Sequence, residues 1–498
     1  MTDRRVRRAL VGLVVLAAAL RLWRIGHQSF WLDETFTASL VDEDLGGLVS
    51  GVRETESTPH LYYLLAWLWA RAAGDGEAAL RTLSALFGIA AVPLAYAAAR
   101  ELLRPRIALI AAALVAVNPW LVWYSQEARA YSLLVLLSTL SLLYFVRAWR
   151  APAARARGEP PGAAARGGGP APGRTLALWA LASALAVLTH YFAAFLVAPE
   201  GLALLWRHRT RAALAASGAV AAVGLALAPL ALDQRASGHT KFISEISLGR
   251  RVTDLPKKFV TGELGTPTPG LGPAAGALVA AGAALLVWRA ARSERRAGLA
   301  MAALAAVTLA VPLTLAAAGL DYLFPRNALA AFVPAAIALS AGFGTARAGR
   351  LGPAAAAALC ATAIAVTIQV SLNPSLQRDD WRGLARALGP PAGDRALVLN
   401  PQVQVHALEH YLPGPGLVDY PPPGATVREV DAVLVTRGSP PRAPQAPSAA
   451  FRLVERRGSE SWRLARFEAP APAPVGPPFA EQSRLDYEAP AIRLQRRR

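Results

Sequence analysis

At 498 residues, with 54% hydrophobic content and a mean hydropathy of +0.33, the chain is too apolar for a soluble globular protein and reads as a polytopic membrane protein. Its 52 Lys and Arg against 33 Asp and Glu give a net charge of +19, but most of the Arg falls between apolar segments on alternate loops, which is the pattern of membrane orientation and excludes a nucleic-acid groove. The single Cys360 excludes an intramolecular disulfide and reads as a small buried hydrophobe.

Arg4 to Arg8 precede an apolar run from Ala9 to Leu20 that continues through Arg21, Leu22, Trp23 and Arg24. No small-residue cleavage site follows, so this is read as an uncleaved first span with a cytoplasmic N-terminus. The stretch Ser29 to Thr37 (SFWLDETFT) then emerges outside, and its adjacent carboxylates Asp33 and Glu34 follow the span directly. From His27 to Thr58 the acids Asp33, Glu34, Asp42, Glu43, Asp44, Glu54 and Glu56 stand against Arg53 alone. A solvated cap is the bland reading of Asp33 and Glu34; an acidic pocket in a basic membrane protein calls for a chemical one.

The next apolar piece, Pro59 to Ala73, makes roughly 22 Å of helix, too short to cross about 30 Å of hydrocarbon. Its Tyr62, Tyr63, Trp67 and Trp69 favour the membrane interface. Read as interfacial, it puts the basic loops 100–106, 147–174, 207–211, 289–296 and 347–350 all on the cytoplasmic side; read as a span, it sends all five outward. The positive-inside rule therefore selects about eleven spans: 9–25, 83–99, 107–122, 130–146, 175–189, 191–206, 212–232, 271–288, 297–320, 327–346 and 352–370. The Pro-, Gly-, Ala- and Arg-rich segment 150–174 reads as a disordered cytoplasmic linker.

After Asn373 the composition changes. Short amphipathic pieces between Pro-rich joints predict helices at 379–388 and 403–412, strands at 395–399 and 431–435, and a hairpin over 451–467 turning at Gly458. The fold class expected is therefore an α-helical polytopic membrane domain (1–372, with an outer acidic loop at 27–82) followed by a small extracytoplasmic α/β domain (373–468) and a tail without fold (469–498).

On this topology four polar clusters surface at one face: Asp33 and Glu34; His60 with Arg81; the turn Trp123 to Tyr131 (WYSQEARAY); and the turn Asp321 to Asn327 (DYLFPRN). The middles of the spans are nearly free of ionisable groups. Glu200 is the exception, open to either a functional reading or a snorkelling one. The triad Asp42, Glu43 and Asp44 matches an Asp-x-Asp metal pattern but reads better as a solvated turn; a divalent cation near the acidic loop stays open, and no other cofactor is expected.

WLDET, STPHLYYLLAWLW, GEAALRTLSALFG, NPWLVWYSQEARAYSL and YLFPRN, in that order and on that side, resemble the GT-C superfamily of polyprenyl-phosphate-dependent glycosyltransferases, in the branch with protein O-mannosyltransferases and the lipid A aminoarabinose transferase. The resemblance covers the membrane region, most strongly 21–147 and again around Arg326. It implies that the acid after the first span, here Asp33 with Glu34 beside it, lies at the catalytic centre, and that Arg81 and Arg326, with a histidine matched loosely by His60, meet the donor phosphate; Arg21 is a further candidate cation for it. A second acid of that family falls on Glu127, or its place is taken by Tyr131. Where the family has His-Pro-Pro this chain has Thr58-Pro59-His60.

The chemistry is intelligible without the family. Moving a sugar from a lipid phosphate to a hydroxyl needs a base for the acceptor proton and cations for the charge growing on the departing phosphate. A carboxylate such as Asp33 suits the first task and arginines the second. Against this stand plain readings: Arg21 snorkels, Arg81 pairs with Glu77, Arg326 anchors the interface. The expected activity is sugar transfer with inversion from a polyprenyl-phosphate donor to a lipid, glycan or protein acceptor at the outer face of the inner (plasma) membrane. The alternatives are a flippase of lipid-linked sugars or a glycan ligase. A flippase calls for polar or broken helices at the bilayer midplane, whereas this chain gathers its charges at one face.

Overall fold

The computed structural model describes residues 3–151, 172–238, 240–401, 404–412, 416–419, 426–436, 446–475 and 491–496. The chain forms two compact units, one of Met1–Ile25 with Leu40–Val370, the other of Gly26–Ser39 with Ser371–Arg498.

The first unit is helical. Its elements are α1 (Asp3–Leu22), then, after α2 (Leu32–Asp42), which begins in the second unit, α3 (Leu45–Thr55), α4 (Leu61–Ala73), α5 (Glu77–Leu102), α6 (Pro105–Val117), α7 (Pro119–Ser125) and α8 (Tyr131–Arg150). There follow α9 (Pro172–Thr189), α10 (Ala194–His208), α11 (Arg211–Ala226), α12 (Ala228–Ala236), α13 (Lys241–Glu245), α14 (Leu248–Thr261), α15 (Leu271–Trp288), α16 (Arg292–Ala317), α17 (Phe332–Phe343) and α18 (Leu351–Leu372).

Every expected span is helical, but by length and composition fewer than eleven qualify. Among the described residues, α5, α8, Arg211–Ala236, α15, α16, Pro325–Phe343 and α18 are long and apolar enough to cross a membrane, and α6 with α7, bent by 53° at Asn118, makes an eighth. Of the other three, α1 begins with an arginine cluster, while α9 and α10 are short. The expected linker 150–174 lies, for residues 152–171, outside the described residues.

Small residues decide how closely these helices pack. Without a hydrophobic force between spans, association relies on close van der Waals approach. Ala85, Ala91, Ala95, Ala98 and Ala99 of α5 are all buried. A Cβ on Gly342 of α17 would sit 2.0 Å from the Gly282 carbonyl of α15, so the two backbones touch there only because position 342 is glycine.

The segment expected to be an outer acidic loop is instead largely helical: α2 and α3 occupy 32–55, and Asp44 caps α3 by accepting from the Gly47 N–H at 2.7 Å. The 13-residue α4 is too short to span and buries Tyr62 and Tyr63. The Tyr62 hydroxyl reaches Ser84 of α5 (2.9 Å) and that of Tyr63 reaches Thr58 (3.0 Å).

The second unit is a six-stranded sheet in the order β2-β6-β1-β3-β5-β4, with β1 (Arg395–Asn400) and β3 (Thr426–Val435) parallel. The strands β2 (Val418–Asp419), β4 (Arg452–Gly458), β5 (Trp462–Pro474) and β6 (Ala491–Gln495) complete it, all in antiparallel pairs. Helices α19 (Trp381–Leu388) and α20 (Val405–Tyr411) pack on one face against Leu397, Leu399, Val433 and Leu464. Ala396, Val398, Val430 and Phe467 point the other way, the period of two that a sheet buried on both faces requires.

Two boundary expectations are corrected here. Within 469–498 the described residues are not a tail without fold: β5 runs on to Pro474, and β6 pairs with β1 at the middle of the sheet. Gln495 is fully buried and accepts from Arg395 Nε at 2.8 Å. A five-residue strand whose partner lies about a hundred residues upstream has no local signature. The second correction is that Gly26–Ser39, carrying Asp33 and Glu34, belongs to the C-terminal unit.

Candidate functional site

In the second unit, Asp33 and Glu34 lie in the first turn of α2, where the positive end of the helix dipole favours carboxylates. Their surroundings differ. Asp33 is half-buried, while Glu34 is fully buried and accepts from Arg378 Nη1 at 2.8 Å and from the Trp31 N–H at 3.3 Å. The Arg378 guanidinium lies over the Trp31 ring, and its own backbone N–H donates to Gln28. Aromatic contacts fix the stretch further: Phe36 stacks on His406 (4.3 Å between centroids), Phe30 meets His410 edge-on, and the Tyr411 hydroxyl accepts from the Phe30 N–H at 2.7 Å.

In the first unit, the expected phosphate ligands divide. Arg21 is fully buried and turned to structure. Pro119 has no N–H to offer the Val115 carbonyl, and the Trp120 N–H goes to Asn118 Oδ1 instead of to Ala116. The Arg21 guanidinium fills both vacancies, donating to Val115 O (3.1 Å) and Ala116 O (2.7 Å), and to Ser125 Oγ as well. Gly88 makes room for it, since a Cβ there would lie 2.8 Å from Arg21 Nε. His60 shares a hydrogen with the Val49 carbonyl at 3.1 Å. Arg81 is buried and donates to the Ile25 carbonyl at 3.1 Å.

Arg326 sits in the 3-10 stretch Pro325–Ala331, its guanidinium 5.0 Å from the Phe324 ring centroid and 5.6 Å from that of Tyr131. Tyr124, which donates to Glu263 at 2.9 Å, is within electrostatic reach of Glu127, Arg326 and Tyr131. Glu127 is buried in the turn between α7 and α8, and two residues on Arg129 makes a bidentate pair with Glu56 at 2.5 and 2.6 Å. Glu127, Tyr131 and Arg326, quoted separately in the sequence, therefore share one polar cluster.

Sequence reasoning missed two parts of this cluster. The first is α14, whose Phe259 packs on Trp120 and Phe332. Its Arg251 forks onto Asp321 and also donates to the Leu323 carbonyl, bracing the turn that leads to Arg326. This pairing, with the Leu323 N–H, holds the Asp321 carboxyl below its usual range. The signal was present as an amphipathic, basic LGRRVTDLPKKFVT, too short and too charged to be a span. The second is His190, in the turn between α9 and α10. Burial, and then the charges of Arg326 and Arg129, push its imidazole down to about 3, so it is neutral at physiological pH.

Elsewhere, Glu200 of α10 is fully buried and accepts from Ser141 (2.5 Å) and Trp179 (2.9 Å). Among the described residues no group of three or more His, Cys, Asp or Glu is arranged to hold a metal ion. Glu34 pairs with Arg378, Asp44 caps α3 and Glu56 takes Arg129, so these acids of 27–58 are each engaged by a local partner.

Residues 57–156 match the family model described as dolichyl-phosphate-mannose-protein mannosyltransferase. No curated protein matches the chain. Among solved structures, the chain is similar to the oligosaccharyltransferase AglB of Archaeoglobus fulgidus in complex with an inhibitory peptide and a dolichol-phosphate (14% identity, 82% of this chain and 63% of that one, TM-score 0.45). It is also similar to ArnT of Cupriavidus metallidurans bound to undecaprenyl phosphate (13%, 92% and 97%, 0.39) and to the protein O-mannosyltransferase Pmt1-Pmt2 complex of S. cerevisiae bound to its sugar donor (17%, 48% and 34%, 0.34). The chain thus spans a little under two thirds of the length of the oligosaccharyltransferase. The family match covers the motifs STPHLYYLLAWLW to NPWLVWYSQEARAYSL, on which the GT-C resemblance rests.

Proposed function

We propose that this chain, which carries the dolichyl-phosphate-mannose-protein mannosyltransferase signature over residues 57–156, is an integral-membrane glycosyltransferase that moves a sugar from a polyprenyl-phosphate donor to an acceptor hydroxyl. The observation that carries the reading is the Arg326 cluster: a guanidinium set against two aromatic rings, in a turn braced by the Arg251–Asp321 pair, with Tyr124 in electrostatic reach of both it and Glu127. Such a fork matches two phosphate oxygens at once and is worth most where water is excluded.

The reaction is a single displacement. The acceptor oxygen attacks the anomeric carbon, the bond from that carbon to the phosphate oxygen breaks with its electron pair leaving on the polyprenyl phosphate, and the acceptor proton passes to Asp33. Inversion follows from attack opposite the leaving group. Arg326, with Arg81, is assigned to the phosphate, and Glu127 to orienting the cluster. Arg21 and His60 are not assigned to it, because their polar hydrogens are engaged within the fold.

The test is to incubate the purified protein with a panel of polyprenyl-phosphate sugars and measure free polyprenyl phosphate. Release from one donor, dependent on Arg326, is expected. Arg326→Ala loses charge-assisted hydrogen bonds worth about 1.5–3 kcal/mol, roughly a tenfold to hundredfold loss in donor affinity, and Arg326→Lys restores only part, because the fork is gone. Donor affinity unchanged in the Ala variant would make the residue an interface anchor.

The orientation proposed is N-terminus cytoplasmic and C-terminal domain extracytoplasmic. Single cysteines at Ala164 and Ser375, in a Cys360→Ala background, should respond oppositely to an impermeant thiol reagent on intact cells: Ala164 protected, Ser375 labelled. Equal labelling would overturn the topology.

A further inference from the structure

We infer that Glu263 is a positioning residue for Arg326, its carboxylate holding the Tyr124 phenol and, through that ring, the Tyr131 face on which the guanidinium lies; this rests on the proposed donor-binding role of Arg326. Glu263 stands two residues beyond the end of α14, and two contacts bring it to the start of α7. Gly262, at a φ of +85° that favours glycine, passes so close to Pro119 that a Cβ on it would lie 2.9 Å from the Pro119 Cβ and 3.2 Å from its carbonyl carbon. The Asn118 side-chain amide donates to the Phe259 carbonyl at 2.9 Å. Glu263 Oε2 then accepts from both the Trp120 Nε1–H and the Tyr124 hydroxyl, each at 2.9 Å, and Oε1 takes the Lys258 ammonium. Trp120 and Tyr124 are buried, and one oxygen with two lone pairs satisfies both of their donors together.

From Tyr124 the support reaches Arg326 in two steps. The Tyr124 ring packs against that of Tyr131 at 4.7 Å between centroids, tilted by 59°, and the Arg326 guanidinium lies 5.6 Å from the centroid of the same Tyr131 ring. The Tyr124 carbonyl also accepts from Ser132 Oγ at 3.1 Å, which ties α7 to the first turn of α8, where Tyr131 stands. An aromatic face holds a cation only within about 6 Å of its centroid, so the place of Tyr131 sets where the guanidinium rests. The same helix braces the cluster from its other end, where Arg251 holds Asp321 and Leu323 of the turn leading to Arg326. Arg251 thus fixes the turn and Glu263 the aromatic wall beside it. Lys258 offsets the charge of Glu263, so the carboxylate supports that wall with little repulsion of the phosphate assigned to Arg326.

Three substitutions separate the links. Glu263→Ala removes the acceptor, Glu263→Gln keeps an amide oxygen for the Tyr124 hydroxyl, and Tyr124→Phe removes that hydroxyl while leaving a ring against Tyr131. Donor KM and kcat are measured for each, with the midpoint of thermal unfolding. If Glu263 positions Arg326, Glu263→Ala and Tyr124→Phe each raise donor KM about fivefold to tenfold with kcat little changed, and together they raise it no more than either alone. Glu263→Gln then recovers most of the affinity, and Glu263→Ala adds nothing further in an Arg326→Ala background. A lower unfolding midpoint with donor KM unchanged, or a Glu263→Ala effect that adds fully to that of Arg326→Ala, would overturn the inference and leave Glu263 a brace for α7 alone. Should Glu263→Ala fail to fold, Tyr124→Phe decides: an unchanged donor KM there overturns the inference as well. If Arg326→Ala itself leaves donor KM unchanged, the donor-binding reading fails first; if it raises KM while Glu263→Ala and Tyr124→Phe do not, only the positioning role fails.

Discussion

Asp33→Asn is expected to slow sugar transfer by about 10² to 10⁴-fold, the usual contribution of a positioned general base, while folding and donor affinity stay near wild type. Asparagine keeps the size of the side chain and one carbonyl oxygen but cannot take the acceptor proton. Asp33 stands in the first turn of a helix held by the contacts of Phe30, Phe36 and Glu34, which the substitution leaves in place. Single-turnover transfer from a radiolabelled donor would measure the chemical step directly. A folded Asp33→Asn protein that transfers sugar within a few-fold of wild type would return the carboxylate to a solvated helix cap.

Glu34→Gln is expected to act mainly on stability. Its carboxylate is fully buried with Arg378, whose side chain is only 6% exposed, so removing the negative charge takes a charge-assisted bond of 2.8 Å from a buried guanidinium. Breaking such a pair from one side costs about 3–5 kcal/mol, far more than the pair itself contributes. The loss should appear as a lower unfolding midpoint and faster proteolysis in the C-terminal unit. Glu34→Gln combined with Arg378→Met should recover much of it, because neither charge is then stranded. A Glu34→Gln protein of wild-type stability whose pH–rate profile alone is shifted would restore Glu34 to an electrostatic neighbour of the base. The structure thus separates two adjacent acids that look equivalent in the sequence: Asp33 is half-buried, while Glu34 is fully buried and tied to Arg378, more than three hundred residues away in the chain.

The sequence by itself determined what depends on neighbours along the chain. Runs of apolar residues long enough for the bilayer marked the long helices, and alternation after Asn373 marked β1, the second half of β3 and the β4–β5 hairpin, since hydrophobic period and length are local properties. The polar clusters could also be picked out, because ionisable residues next to spans are rare enough to stand apart. Only the tertiary structure decided which partners those residues meet. Arg21 looked like a phosphate ligand until the carbonyls orphaned by Pro119 took its hydrogens. Asp33 and Glu34 follow the first span in sequence yet pack with the C-terminal unit, and the apparent tail supplies an inner strand of its sheet. His190 carried no motif, and α14 showed only as a short amphipathic, basic stretch whose pairing of Arg251 with Asp321 was not legible. The reason is the same in each case: a buried polar group is assigned by whichever partner satisfies it, and here the partners stand from about seventy to more than three hundred residues away.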